Sequence, residues 1–314
     1  MSDEPHPTCC ICDQPLTPPY HILGQRIYCD HHFALVNKPH VGFWRAGLIQ
    51  IVGMGLFSAL VSYMAELIGP LSGPALLLAG IVLALVPSAI WLVFFYRQDR
   101  LEPEPKLRVA AVFFLALILT DVLGRRITDD WLQVRVWASA STTTSLAASI
   151  LIVGVTWQAI AYTAVRLLVY TTPEFDERMD GIVYGTVAGL GVATLLNLRY
   201  VLDNGGVALG PGVISVVTAA LAQASFGGLM GYFMAEAKFT HRPIWWVPVG
   251  FALAATLNGT FSWLIGEVSA TGLSVEYWRS LVLGMAVALA AFFTLVALMR
   301  RSIDVTLRQT GRSS

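Results

Sequence analysis

Residues 181–202 read GIVYGTVAGLGVATLLNLRYVL, an apolar run whose one charge, Arg199, stands near its end. As an α-helix rising 1.5 Å per residue it reaches about 33 Å, enough to cross a hydrocarbon core about 30 Å thick. Its glycines and alanines predict close approach to other helices, the packing mode of helices in lipid. Seven further apolar stretches flank it: 44–68, 75–96, 107–123, 145–170, 213–236, 244–266 and 279–299. With 181–202 they make eight spans, of which the fifth to seventh, rich in Gly, Ala and Ser, are expected at the centre of the bundle.

Composition supports this reading. The chain has 314 residues, 56% hydrophobic and 13% charged, where a soluble domain carries about 25% charge. Mean hydropathy is +0.66. Formal net charge is zero, which removes the global electrostatic case for a nucleic-acid partner. The opening MSDEPHPTCCICDQPL is polar, so no cleavable signal peptide is expected. The fold class is therefore all-α: a polytopic transmembrane helical bundle of about eight spans, preceded by a small N-terminal zinc-binding β-hairpin or knuckle domain. The divisions are 1–40 for the knuckle, 41–300 for the bundle and 301–314 for a basic tail. Segment 125–145, RRITDDWLQVRVWASASTTTS, reads as an interfacial helix or loop.

Lys and Arg set the orientation. Of 20 such residues, fourteen fall in loops or at span ends on the N-terminal side of the membrane, five in loops or at span ends on the opposite side, and Arg166 lies deeper within the fourth span. Both termini are thus expected in the cytoplasm, in a bacterial cytoplasmic membrane.

All four cysteines lie in the first 29 residues. Cys9-x2-Cys12 and Cys29-x2-His32 supply two ligand pairs on tight turns, the pattern of a closed tetrahedral zinc site. A reducing compartment would keep these thiols free. Cys10 and His31 are neighbouring alternative ligands, iron is an alternative ion, and reactive or palmitoylated thiols are the alternative without metal. Leu16, Tyr28 and Phe33 are expected to pack the knuckle, with the metal supplying most of its folding energy. The run resembles the second zinc finger of LIM domains through Gly24, Tyr28, Cys29 and His32. A site with four protein ligands has no open position, so its role is folding or docking.

Two longer stretches, YRQDRLEPEPKLRVAAVFFLALI (96–118) and PEFDERMDGIVYGTVAGLGVATLLNLRYVL (173–202), resemble the PrsW-type intramembrane proteases, relatives of the CAAX prenyl-protease group. The D-G-I-V-Y-G signature of that family is matched by Asp180, Gly181, Ile182, Val183, Tyr184 and Gly185, and the likeness extends over residues 75–300. It implies a bundle whose buried carboxylates and histidines activate water. The residues that it aligns with those groups differ here. The E-E-x-x-K motif falls on Trp157, Gln158 and Ala161. In F-x-x-x-E-N the glutamate is Leu196, followed by the conserved Asn197. A histidine becomes Gln223, and H-G-x-x-D becomes Asn258, Gly259, Thr260, Phe261 and Ser262. Amides cannot serve as a general base near neutral pH.

Among other ionisable groups, Glu66, Asp121 and Glu236 at span ends are expected to meet water. Arg166 is expected to snorkel or to pair with Asp176 or Asp180. All six histidines lie outside the spans. Glu102, Glu104, Glu174, Asp176, Glu177 and Asp180 share one face, where they cap helices and brace loops or bind a metal or basic partner. Three functions follow. The first is a catalytically inactive relative that binds membrane helices or serves as an accessory subunit, with lipids and other membrane proteins as partners. The second is an active protease with relocated groups, and the third, a transporter or channel, has almost no charge in the spans to define an ion path.

Overall fold

The computed structural model describes residues 7–12, 14–23, 26–37, 43–68, 71–98, 104–204, 211–240, 242–271 and 275–310. Gly24, Glu102 and the side chain of Glu66 lie outside the described residues. The chain opens with a two-stranded antiparallel hairpin, His21–Leu23 against Arg26–Tyr28, in the register His21↔Tyr28 and Leu23↔Arg26. A short helix, Asp30–Val36, follows.

Among the described residues, eight helices are long and apolar enough to cross a membrane, as the hydropathy pattern predicts. They form from Phe43–Ile68, Gly73–Gln98, Lys106 onward, Thr142 to Leu168, Arg178–Asp203, Pro211–Phe239, Trp246–Thr271 and Val275–Thr310. The third continues past its expected end through π-helical turns at Thr120–Gly124 and Arg126–Trp131. Much of the segment expected to be an interfacial helix or loop is thus helical. The eighth runs on to Thr310, so that residues 301–310 of the basic tail continue it as helix.

The fifth and sixth spans form the centre. Buried residues make up 89% and 83% of their most apolar stretches, against 17% for the first span. Glycine makes this closeness possible. A Cβ added at Gly231 would lie 1.7 Å from the carbonyl oxygen of Gly181, and one at Gly185 would lie 2.3 Å from that of Gly227. Backbone therefore touches backbone along the seam, which dispersion favours and any side chain would prevent. The seventh span corrects the expectation: only 39% of it is buried, no more than the fourth. It leans on the fourth, sixth and eighth spans and leaves Val249 and Leu253 exposed. Small residues permit close approach on one side without requiring burial on every side.

The loops after the second, fourth and sixth spans converge at one end of the bundle. Tyr184 donates to Glu104 (2.6 Å), Arg108 pairs with Glu174 (3.1 Å), and Lys238 donates to the carbonyls of Tyr170 (2.7 Å) and Phe175 (2.6 Å). The N-terminal hairpin joins this end. Arg26 reaches Asp176 Oδ1 (2.5 Å) and Glu177 Oε1 (3.1 Å) from 150 residues away.

Candidate metal centre and bundle interior

The N-terminal knuckle is built from its turns. The Cys9 amide donates to Gln14 O (2.9 Å) and the Cys10 amide to Ile27 O (3.0 Å), laying the first turn over the hairpin. The second cysteine-histidine pair sits where β-strand passes into helix, with Cys29 as N-cap. These turns bring Cys9, Cys12, Cys29 and His32 together, with their ligand atoms all within 4.8 Å of one another. His32 Nδ1 lies 3.1 Å from Cys29 Sγ and 3.6 Å from Cys9 Sγ. An ion with bonds of about 2.3 Å to sulfur and about 2.0 Å to nitrogen sets tetrahedral edges of roughly 3.5 Å, so the quartet fits a metal. Burial works against the Cys9 thiolate, but hydrogen bonds from the Cys29, Ile11 and Cys12 backbone outweigh it and lower its pKa to about 6.

The alternative ligands point elsewhere. Cys10 hydrogen-bonds Tyr28 within the knuckle, and His31 is exposed, edge-on to His32. Tyr28 is fully buried and Phe33 packs against it, as expected. Val36, Ile11 and Leu23 complete that cluster, whereas Leu16 is half-buried outside it. His21 stacks on Phe33 at 4.0 Å.

Below the knuckle, the D-G-x-x-Y-G run divides its tasks. Asp180 Oδ2 accepts from the amides of Asp176 (2.7 Å) and Glu177 (2.6 Å), and Glu177 answers from its own side chain, a capping box that starts the fifth span. Gly181 and Gly185 form the seam with the sixth span, and Tyr184 reaches the buried Glu104, which also hydrogen-bonds Asp180. Burial pushes the Glu177 carboxyl up, against the pull of Arg26.

Of the charged groups near span ends, Glu236 departs from its expectation. Glu236 is 6% exposed and not in water, because Arg178 (3.1 Å) and Arg242 (2.9 Å) clasp it. Arg166 lies over the Tyr170 ring at 4.5 Å, leaving Asp176 to Arg26 and Asp180 to the helix cap. Asp121 is half-exposed, as expected, with Arg199 at 2.6 Å and Arg125 at 3.5 Å.

The structure brings three of the interior positions together. Gln223 Nε2 donates to Asn258 Oδ1 (3.0 Å), Asn258 Nδ2 donates back to Gln223 Oε1 (2.8 Å), and Ser262 Oγ lies 3.3 Å from Asn258 Oδ1. Gln223 and Asn258 are at most 3% exposed, so the amides pair out of reach of water. A π-helical turn, Ser149–Gly154, lies against Ala255 and Gly259 on either side of Asn258. Asn197 stands apart, donating to Val216 O at 2.9 Å. Gln158 is 1% exposed, and its Oε1 has no hydrogen-bond partner among the described residues. Leu196 packs at the edge of the core.

The family model described as PrsW family intramembrane metalloprotease matches residues 104–299. The chain belongs to the PrsW family. Protease PrsW of Geobacillus kaustophilus (strain HTA426) is 29% identical over 181 residues, covering 57% of this chain and 76% of the relative. Protease PrsW of Bacillus subtilis (strain 168) is 25% identical over 197 residues, covering 62% and 84%. That of Clostridioides difficile (strain 630) is 23% identical over 159 residues, covering 50% and 66%. No solved structure matches. The knuckle precedes the stretch matched by the PrsW family model.

The family description implies a metal within the bundle, and the side chains present decide whether it fits. Catalytic metals are held by imidazole, thiolate or carboxylate. Gln223 and Asn258 are neutral amides occupied with one another, and Asn197, Gln158 and Ser262 add no such donor. This set does not fit a catalytic metal. Among the described residues, the group of three or more His, Cys, Asp or Glu side chains placed to hold an ion is the N-terminal quartet.

Sequence spacing found the quartet and missed the groups around it. The Arg26 contact, the place of Glu104 beneath Tyr184 and the pairing of Gln223 with Asn258 each join residues far apart in the chain, and no local pattern marks them.

Proposed function

We propose that this PrsW-family membrane protein is a pseudoprotease, which binds the helix of another membrane protein and serves as an accessory subunit without cleaving it. The observation that carries the proposal is the closed Gln223–Asn258 amide pair. By the family resemblance these positions, with Gln158, Leu196 and Ser262, stand where ionisable groups activate water, and an amide neither takes nor gives the proton that hydrolysis moves. The quartet Cys9, Cys12, Cys29 and His32 holds a structural zinc in this reading, supported by its three sulfurs and one imidazole nitrogen. Both termini lie in the cytoplasm, a placement supported by the Lys and Arg count and by the docking of the hairpin on the loop before Arg178.

The test is cleavage and capture of single-span substrates by the full chain in vesicles. The expected result is no cleavage, with photo-crosslinks from positions beside Asn258 to a bound helix. Cleavage by the unaltered chain overturns the proposal. Elemental analysis of the purified protein is expected to give one zinc per chain, lost in Cys29→Ser; stoichiometric iron would reject zinc.

A second reading is favoured by the buried carboxyls of Glu104 and Asp180 beside Tyr184. Relocated catalysis by this pair predicts cleavage that disappears in Glu104→Gln while the helix count by circular dichroism is kept.

A further inference from the structure

The cluster around Glu236 carries more positive charge than it consumes. A cavity of about 170 Å³ opens there, lined by Arg178, Tyr232, Glu236, Thr240, Arg242 and Arg301, with Ser302 and Val305 behind. Three guanidinium groups face one carboxylate. Arg178 and Arg242 share Glu236, with side chains 10% and 35% exposed, and Arg301 makes no ion pair among the described residues. The Tyr232 hydroxyl adds a donor of the kind that recognises an oxyanion, while the Thr240 hydroxyl donates to the Glu236 carbonyl and braces the turn beside it. A space of roughly 150 Å³ holds a benzene-sized group, so this one accommodates a phosphate.

Its depth identifies the ligand class further. The lining comes from the first residue of the fifth span, the last turns of the sixth and eighth, and the approach to the seventh. Beside it, Ile244 is 94% and Trp245 55% exposed, and Arg242 lies over the Trp246 ring at 4.7 Å. Exposed tryptophan and isoleucine next to arginines mark the headgroup level of a bilayer. An anionic lipid placed there presents its phosphate to the cavity and its chains to the apolar rim.

We infer that the cavity between Arg178, Arg242 and Arg301 binds a phosphate group, that of an anionic phospholipid headgroup at the membrane surface. The guanidiniums take the phosphate oxygens in forked hydrogen bonds, while Glu236 keeps Arg178 and Arg242 in position. The site is separate from the amide pair and does not depend on whether the chain cleaves anything.

The test uses the full chain purified in detergent and native mass spectrometry with equimolar phosphatidylglycerol and phosphatidylcholine, and separately with inorganic phosphate. One phosphatidylglycerol per chain should be retained in preference to phosphatidylcholine. Arg301→Gln should weaken retention about tenfold, the worth of one charge-assisted hydrogen bond. Arg301 is exposed, so this variant keeps the fold, and Arg301→Lys should restore part of the affinity. Arg97→Gln, an exposed charge outside the cavity, should change nothing. Retention of inorganic phosphate with the same dependence on Arg301, and no preference for the lipid, keeps the phosphate site and assigns it to a soluble ligand. Equal losses in Arg301→Gln and Arg97→Gln, or no retention of either probe, overturns the inference.

Discussion

The knuckle and the paired fifth and sixth spans are held together by opposite means. The knuckle has two fully engaged core residues, Tyr28 and Val36, and four ligand atoms gathered within 4.8 Å. The paired spans are tied by Arg178 to Glu236 at one end and by Asn197 to the Val216 carbonyl nearer the other, and between these Gly181, Gly185, Gly227 and Gly231 let their backbones touch. In the proposed reading one region depends on an ion that its donors share, the other on the absence of side chains. Each should therefore fail to a different insult, and the two failures should be separable.

The largest effect is expected from removing the metal. Binding of a structural ion to a small domain is worth on the order of 10 kcal/mol and is folding energy, because no preformed site exists in the unfolded chain. Chelation, or Cys29→Ser, should expose residues 7–37 to protease and hydrogen exchange. Helicity and the thermal midpoint of the spans should stay nearly constant, since the hydrogen bonds described for the quartet's side chains stay within the knuckle. A fall in both together would show one cooperative unit.

The reciprocal insult is Gly231→Leu. A Cβ alone would meet the Gly181 oxygen at 1.7 Å, so the two spans must separate, at a cost of about 3 kcal/mol or more. The thermal midpoint of the detergent-solubilised protein should drop by many degrees while metal content stays stoichiometric. Gly53→Leu, where an added Cβ meets nothing within 4 Å, is the matched control and should have little effect.

These two regions were also the most legible in the sequence, and for the same physical reason: each is specified locally. Cys-x2-Cys and Cys-x2-His encode a turn geometry within four residues, and a run of twenty apolar residues encodes a span whatever surrounds it. What escaped depends on distant partners. Glu236 at a span end reads the same whether it meets water or two arginines. The glycines and alanines of the seventh span announce a close approach, yet not that its other side stays exposed. Gln223 and Asn258 read separately as single polar residues in apolar helices; only the packing of the sixth span on the seventh reveals that each satisfies the other.

That amide pair lies between the two extremes, and a double-mutant cycle measures it. Asn258→Leu alone leaves the buried Gln223 amide without a partner and should cost about 1–2 kcal/mol. Gln223→Leu with Asn258→Leu should recover most of this, because interhelical hydrogen bonds in membranes average about 0.6 kcal/mol. A coupling well above that average would show the pair positions the seventh span, whereas zero coupling would show the packing around Gly259 does so without it.

The smallest effect, and the sharpest on the comparison, belongs to Arg26, the described ion-pair link from the knuckle to the spans. Its side chain is 12% exposed, and it pairs with the half-exposed Asp176 and the buried Glu177. Deleting one member of a buried pair usually costs several kcal/mol, because the other charge is left without water. Here the knuckle can move away and let water reach Glu177, so the loss cannot exceed what the docking contributes, which for a partly exposed pair is about 1 kcal/mol or less. Arg26→Gln should therefore leave metal content and the thermal midpoint almost unchanged. It should lower cross-linking between photo-reactive residues placed on the hairpin and on the Asp176 loop by about fivefold or less, and raise exchange of the Glu177 amide only modestly, since Asp180 still accepts from it at the helix cap. A midpoint lowered as far as in Gly231→Leu would mean that the knuckle clamps the fifth span, and that the two regions are mechanically one.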